Sequence, residues 1–555
     1  MTKFSKKNKI FNKNHTRKCK TTIRDITFDI LRNLGVTIIC GNPGSTEETM
    51  LMNFPKDFLY IMALQGASVV GIADGISQSI RRPVIVNLHT GVGIGNGMGN
   101  ILTAFQNKTP LILTSGNQTR DMLLIEPFLT NIQPTLLALP WVKWAYEPCR
   151  SDDVPGAFMR AYAKSIQEPQ GPVYLSIPLD DWNKTSSSKI QIRNICERIA
   201  PDPKVILEFA DKINNSKNPV LIYGSDIARN SAWYDGIEFA EKINAPVWSG
   251  PFNERTPFPE THHLYQGHLK SSIKQLYDEI KGHDLIVVIG APVFRYYPYI
   301  AGDYIAKNVQ LLLVSDDTEV IAKAPVGDSI LSNSKLFFEE IINKIHEKER
   351  NNKKISLVRP QLSKQNLDSK PYLPETVLHV IKNNLPEEYI LTEECPSIVS
   401  NIHDIIKIDK PDTFYTFASG GLGWTMPASI GLAIGEKLQK KYRPVFCLIG
   451  DGSFQYSIQS LFTGVQHKAH VIFIVFQNYE YGILKEFAIL EKTPNVPGLD
   501  LPGIDIVSLA KGYGANSVFI DNISDFSKEI KKALLLKNIS VIVLHTRKVK
   551  GGLLV

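Results

Sequence analysis

The stretch from Val445 to Phe487 reads VFCLIGDGSFQYSIQSLFTGVQHKAHVIFIVFQNYEYGILKEF. Its apolar run Val445 to Ile449 predicts a buried strand that stops at Gly450-Asp451-Gly452. Residues Ser457 to Gln466 have helical spacing, and the run Val471 to Phe476 predicts a second strand that stops at Gln477-Asn478. Parallel strands joined by a helix end on the same edge of their sheet. Asp451 and Asn478, 27 positions apart in sequence, are therefore expected side by side. A carboxylate and an amide oxygen are hard ligands that suit Mg²⁺, whose remaining positions go to carbonyls, water and phosphate. The glycines flanking Asp451 let backbone approach a phosphate closely, and the N–H groups of a following helix point at it. An isolated Gly-Asp-Gly reads more readily as a plain strand-to-helix turn. The Asn at the end of the next strand shifts the reading toward a cation and phosphate site.

Working outward, the 555 residues suffice for about three domains with real cores. Hydrophobic and charged contents of 43% and 21% are those of an ordinary globular chain. The formal charge of +7 is concentrated at one end. Residues 1–20 hold Lys3, Lys6, Lys7, Lys9, Lys13, Arg17, Lys18 and Lys20 and no acid, so the remainder is close to neutral. That balance argues against a nucleic-acid surface. Residues 1–21 read as a basic, disordered leader without the apolar core of a secretory signal. No apolar run approaches the ~20 residues of a membrane span. Six cysteines without paired spacing fit a reducing cytoplasm and no cysteine metal site.

Residues 22–190 alternate helix and strand, as a doubly wound α/β domain does. Strands are expected over Val36–Cys40, Tyr60–Ala63, Val84–Leu88, Leu111–Thr114 and Val173–Ile177, with helices over Thr22–Leu34 and from Glu47. The turn Gly41-Asn42-Pro43-Gly44-Ser45 places Ser45 at a helix start, where its first reading is an N-cap. His89 stands at a strand end, where α/β enzymes keep ligands. The glycines that follow it, Gly91 to Gly99, give no G-x-G-x-x-G register and read as helix packing. Residues 191–350 form a second α/β region, Rossmann-like, with no acid–base cluster and the character of a scaffold. A polar linker, 351–370, leads to a third α/β region, 371–555, which contains the opening stretch. There Gly420-Gly421-Leu422-Gly423 is a turn into a small, apolar helix.

Taken together, GNPGS at 41–45, ALQ-x-A-x-VVGIADG from Ala63, NLH-x(5)-GN from Asn87, GHD-x(4)-IGAPVFRY from Gly282, GGLGW from Gly420, GDGS from Gly450 and NVPGLDLPGID from Asn495 resemble the thiamine diphosphate (ThDP)-dependent enzymes. Within that family the chain resembles the benzoylformate decarboxylases. The resemblance runs from about residue 22 to 548. It implies three doubly wound parallel-sheet domains, binding the pyrimidine, forming the middle, and binding the diphosphate, with ThDP and Mg²⁺ as cofactors. Position by position, it implies Ser45 and His89 as catalytic groups and Leu422 as the wedge that bends the cofactor. It implies Gly450, Gly452, Ser453, Tyr481 and Gly482 around the diphosphate. Asp451, Asn478 and the carbonyl of Glu480 would hold the metal, and Leu129, Tyr297, Thr416 and Leu484 would wall the substrate. It further implies self-association as a dimer or a homotetramer, a cytoplasmic lyase acting on a small 2-oxo acid, and neither nucleic-acid nor membrane partners. Two departures stand out. Gly66 replaces the glutamate that activates the cofactor's pyrimidine, and Tyr297 replaces a second catalytic histidine. The expected activity is 2-oxo acid decarboxylation, slowed at activation, with a glutamate restored at 66 speeding it. The rival readings are a carboligase of the acetolactate synthase or glyoxylate carboligase kind, and a cofactor-binding protein with impaired catalysis.

Overall fold

The computed structural model describes residues 21–186, 191–292, 297–348 and 370–548. The basic leader and most of the linker thus lie outside the described residues. Three six-stranded sheets carry the fold, and every pairing within them is parallel.

The first sheet contains β1 (Ile38–Asn42), β2 (Leu59–Met62), β3 (Val84–Leu88), β4 (Leu111–Asn117), β5 (Ala145–Tyr146) and β6 (Val173–Pro178), in the order β2-β1-β3-β4-β6-β5. The middle sheet contains β7 (Pro219–Tyr223), β8 (Val247–Ser249), β9 (Tyr265–His268), β10 (Leu285–Ile289), β11 (Gln310–Ser315) and β12 (Asp328–Leu331), in the order β9-β8-β7-β10-β11-β12. The third contains β13 (Ile390–Glu394), β14 (Phe414–Tyr415), β15 (Val445–Gly450), β16 (Val471–Gln477), β17 (Asn516–Ile520) and β18 (Ser540–His545), in the order β14-β13-β15-β16-β18-β17. The first and third sheets therefore share one topology. Their central strands read as unbroken apolar runs because helices cover both faces: Val84–Leu88 and Val471–Gln477 are buried throughout.

In each sheet the chain leaves one central strand outward and returns on its other side, which opens a crevice at the carboxyl ends of two neighbouring strands. The crevices lie between β1 and β3, between β7 and β10, and between β13 and β15. The middle one is closed by backbone: a Cβ on Gly224, just past β7, would stand 2.0 Å from the Gly290 oxygen, just past β10. That closure suits a scaffold.

The helices α1 (Gly66–Ile80), α2 (Thr90–Gln106) and α3 (Thr425–Leu438) join the outer two units. Helices α1 and α3 touch backbone to backbone, since a Cβ on Gly75 would fall 2.1 Å from the Ala428 oxygen and one on Gly431 2.2 Å from that of Ile72. The buried Asp74 carboxylate accepts from Trp424 Nε1 at 2.6 Å across the same seam. Of the glycines after His89, Gly97 serves helix packing, against Val70 of α1 and Leu88 of β3, whereas Gly95 and Gly99 have open space beside them.

Local boundaries differ from the sequence reading at two instructive places. The helix expected from Ser457 starts at Ser460, because Asp451–Gln455 forms its own short helix first. The helix after GNPGS is only Glu48–Leu51, with Glu47 in the capping position and no side-chain cap bond. Ser45 is exposed in the turn before it and is no N-cap.

Candidate active site

At the crevice between β13 and β15 a cleft is lined by Glu394, Leu422, Gly450, Asp451, Gly452, Ser453, Asn478, Glu480, Tyr481 and Gly482, among others. Its empty space is about 550 Å³, open solvent at the mouth included. Parallel pairing of Gly450 with Phe476 places Asp451 beside Gln477, one residue before Asn478. Asp451 Oδ2 accepts from Tyr479 N at 2.7 Å and Oδ1 from Gly452 N at 3.0 Å. Asn478 Oδ1 accepts from Glu480 N at 3.1 Å. A Cβ on Gly452 would run into the Tyr481 ring at 2.5 Å, so only glycine leaves the backbone this close. Tyr481 occupies the capping position of the helix Gly482–Leu490.

Burial pushes the Asp451 carboxyl up to about 6. Among the described residues no Lys or Arg forms an ion pair with it. Glu480 differs: Lys485 and Lys548 neutralise its side chain at 2.6 and 3.0 Å, which leaves its backbone as the available donor.

Glu394 was not singled out in the sequence, yet it shapes the cleft. Its carboxylate accepts from Gly423 N and Thr425 N, both at 2.7 Å, and so fixes the turn that carries Leu422. Burial raises that carboxyl to about 7. Its neighbour Glu393 accepts from the Thr416 hydroxyl at 2.6 Å, so Thr416 turns its hydroxyl to a carboxylate.

A second cluster sits at the matching crevice between β1 and β3. His89 caps α2 and holds Nδ1 at 2.9 Å from Glu47 Oε2. The Glu47 side chain, 1% exposed, also accepts from Gly44 N at 2.9 Å, the Thr46 hydroxyl at 2.8 Å and Gly116 N at 2.6 Å. Because the Thr46 hydroxyl donates to Glu47, the hydrogen-bond network assigns the imidazole proton to Nδ1 and leaves Nε2 free. Glu47 was also missed in the sequence, where it read as the start of a helix. Its only signal was an acid two residues past the Ser45 turn. Gly66 lies buried at the start of α1 against α2.

Most of the sequence-nominated residues fall into two groups, with Thr416, Leu484 and Tyr297 in neither. Leu422, Gly450, Asp451, Gly452, Ser453, Asn478, Glu480, Tyr481 and Gly482 share the C-terminal cleft. Ser45, His89, Gly66 and Leu129 belong to the N-terminal unit and none lines that cleft. Tyr297 is 62% exposed, and its ring lies 5.1 Å from that of Phe487, on the helix that carries Leu484.

Models of the thiamine pyrophosphate enzyme N-terminal TPP-binding, central and C-terminal TPP-binding domains match residues 21–135, 206–341 and 397–544. The chain belongs to the thiamine pyrophosphate enzyme family. It is 36% identical over 516 residues to benzoylformate decarboxylase of Pseudomonas aeruginosa, a match covering 92% of this chain and 96% of that one. A crystal structure of benzoylformate decarboxylase from Polynucleobacter necessarius superposes with a TM-score of 0.93 at 58% identity, covering 96% of this chain and 99% of the other. A 4-hydroxybenzoylformate decarboxylase from Rhodococcus jostii gives 0.91 at 32% identity, covering 96% and 100%. These matches imply ThDP and Mg²⁺ as the cofactors. The cleft fits them: its donors are hard oxygens, its carboxylate has no cationic partner among the described residues, and its glycines leave room for phosphate. Among the described residues no helix is long and apolar enough to cross a membrane.

Proposed function

We propose that this chain is a Mg²⁺-dependent 2-oxo acid decarboxylase of the benzoylformate decarboxylase kind. The observation that carries this reading is the identity, sustained over nearly the whole chain, to enzymes named for that reaction. When bound, ThDP supplies the nucleophilic carbon and electron sink that loss of CO₂ from a 2-oxo acid requires.

The rest falls to the chain's own residues. Asp451, Asn478 and the Glu480 carbonyl would hold the metal, and Gly450, Gly452, Ser453, Tyr481 and Gly482 would cradle the diphosphate. Leu422, fixed through Glu394, would pack against the bound cofactor. Ser45, exposed in its turn, donates to the substrate carboxylate. His89, with Nδ1 tied to Glu47, gives and takes protons at Nε2. Leu129, Thr416, Leu484 and the Tyr297–Phe487 pair wall the substrate.

The active unit in this reading is at least a dimer, because the Ser45–His89 group and the Asp451 cleft are separate within one chain. The segment after β4 supports this, since Leu124, Ile125, Phe128 and Ile132 are 94%, 71%, 87% and 67% exposed. Apolar surface of that kind marks an interface. The reading places the chain in the cytoplasm.

The test incubates purified protein with ThDP, Mg²⁺ and a panel of aryl and alkyl 2-oxo acids. Aldehyde and CO₂ from an aryl 2-oxo acid is the expected result. Exclusive 2-hydroxyketone formation would move the assignment to carboligation, and no turnover of any acid would overturn it.

A further inference from the structure

We propose that Glu260, His268 and His403 form a second metal site, for a divalent transition ion of the Zn²⁺ class, that ties the middle unit to the C-terminal one. Glu260 lies in the middle unit just before β9, His268 ends β9, and His403 sits on the helix Val399–Ile405 of the C-terminal unit. None of the three lines the cofactor cleft.

Three groups able to ligate a metal converge here, joined by hydrogen bonds that an ion would replace. Glu260 Oε1 stands 2.7 Å from His403 Nδ1 and 3.2 Å from His268 Nε2. The three atoms lie within 4.8 Å of one another. Ligands held ~2.0–2.1 Å from a tetrahedral Zn²⁺ are roughly 3.3 Å apart. Two imidazoles and one carboxylate favour a borderline ion such as Zn²⁺ over Mg²⁺ or Ca²⁺, which take oxygen throughout.

The surroundings add to the contacts these groups make with one another. Glu260 Oε2 accepts from Ile408 N at 3.1 Å, while Glu260 N donates to Ile408 O at 2.8 Å, so Ile408 anchors both the backbone and the carboxylate of Glu260. The His403 ring packs edge-on against Phe414 at 4.7 Å, and the two imidazoles lie 4.2 Å apart. Such outer contacts are what orient metal ligands. The His268 side chain is 33% exposed, which gives an ion a route in and leaves a fourth position for water. The same junction carries Thr416 N to Glu254 O at 2.9 Å and a bridge between Arg255 and Tyr415. An ion here would fasten one end of a seam that hydrogen bonds already run along.

The test uses the holoenzyme, saturated with ThDP and excess Mg²⁺ so that the cleft metal is occupied. After exposure to Zn²⁺ and gel filtration, about one zinc per chain should remain, and His268→Gln and His403→Gln should each lose most of it. Both variants should keep wild-type ThDP binding, which checks the fold. Co²⁺ should give the wild type a ligand-field spectrum that both variants lack, and Zn²⁺ should raise the Tm of the wild type alone. A wild type that retains no zinc and shows no cobalt spectrum would reduce the cluster to a hydrogen-bonded trio and overturn the proposal. Zinc retention unchanged in both variants would overturn it as well.

Discussion

A Cβ built on Gly66 would stand 2.8 Å from the carbonyl oxygen of Gly93, with Gly97 N at 3.1 Å and the Asn96 carbonyl carbon at 3.2 Å. All three are backbone atoms of α2, so no side-chain rotation relieves the contact. The space beside Gly66 is therefore taken by the backbone of α2. A glutamate introduced there must first push α2 outward. Overpacking of this sort costs about 1–3 kcal/mol. We expect Gly66→Ala and Gly66→Glu both to lower the Tm of the apoprotein, and a thermal melt checks it. A Gly66→Glu variant as stable as the wild type would mean that α2 yields freely.

His89→Ala should lower kcat by on the order of 10²–10⁴ while sparing ThDP affinity, as removal of a general acid–base group does. Glu47→Gln should act in the same direction and less strongly, since it loosens the tautomer without removing the ring. It should also cost stability, because the Gly44, Gly116, Thr46 and His89 donors all meet at that one carboxylate. Steady-state kinetics and denaturant melts of both variants measure the split.

Asp451→Ala should abolish most Mg²⁺-dependent ThDP binding in calorimetry. The diphosphate would lose the cation that Asp451 would hold, and among the described residues the cleft offers no second unpaired carboxylate next to Asn478. Affinity equal to the wild type would remove Asp451 from the metal site.

Glu394 makes a pH dependence whose sign is fixed. Its carboxyl is held up at about 7 by burial, above the ordinary carboxylate range. The folded protein thus binds this proton more tightly than the unfolded chain. Its stabilising contribution is full at and below the ordinary range and is lost as pH rises through about 7. The Tm of the wild-type apoprotein minus that of Glu394→Gln should therefore fall between about pH 5 and about pH 8. A difference that stays flat or rises would show that the carboxyl is already ionised when folded.

The sheets were legible in the sequence because their central strands are continuous apolar runs, and Val84–Leu88 has the ends expected of it. The neighbouring Asp451 and Asn478 were legible because parallel pairing turns strand ends into neighbours. Glu47 and Glu394 were not. Each acts by collecting backbone amides from turns distant in sequence, Gly116 in one case and Gly423 and Thr425 in the other. No spacing rule encodes such partners. The closure over Gly66 was equally hidden, since a missing side chain says nothing about which neighbour takes the space. The Glu260–His268–His403 group needed two units folded against each other before it existed.

The contact of α1 with α3 leaves no slack. With carbonyl oxygens 2.1 and 2.2 Å from where a Cβ on Gly75 or Gly431 would stand, the outer two units of one chain meet without an intervening layer of side chains. A hinge there would have to break that contact over the length of both helices before it opened anything. Any opening within one chain would cost that whole seam at once, so the outer two units behave as a single block.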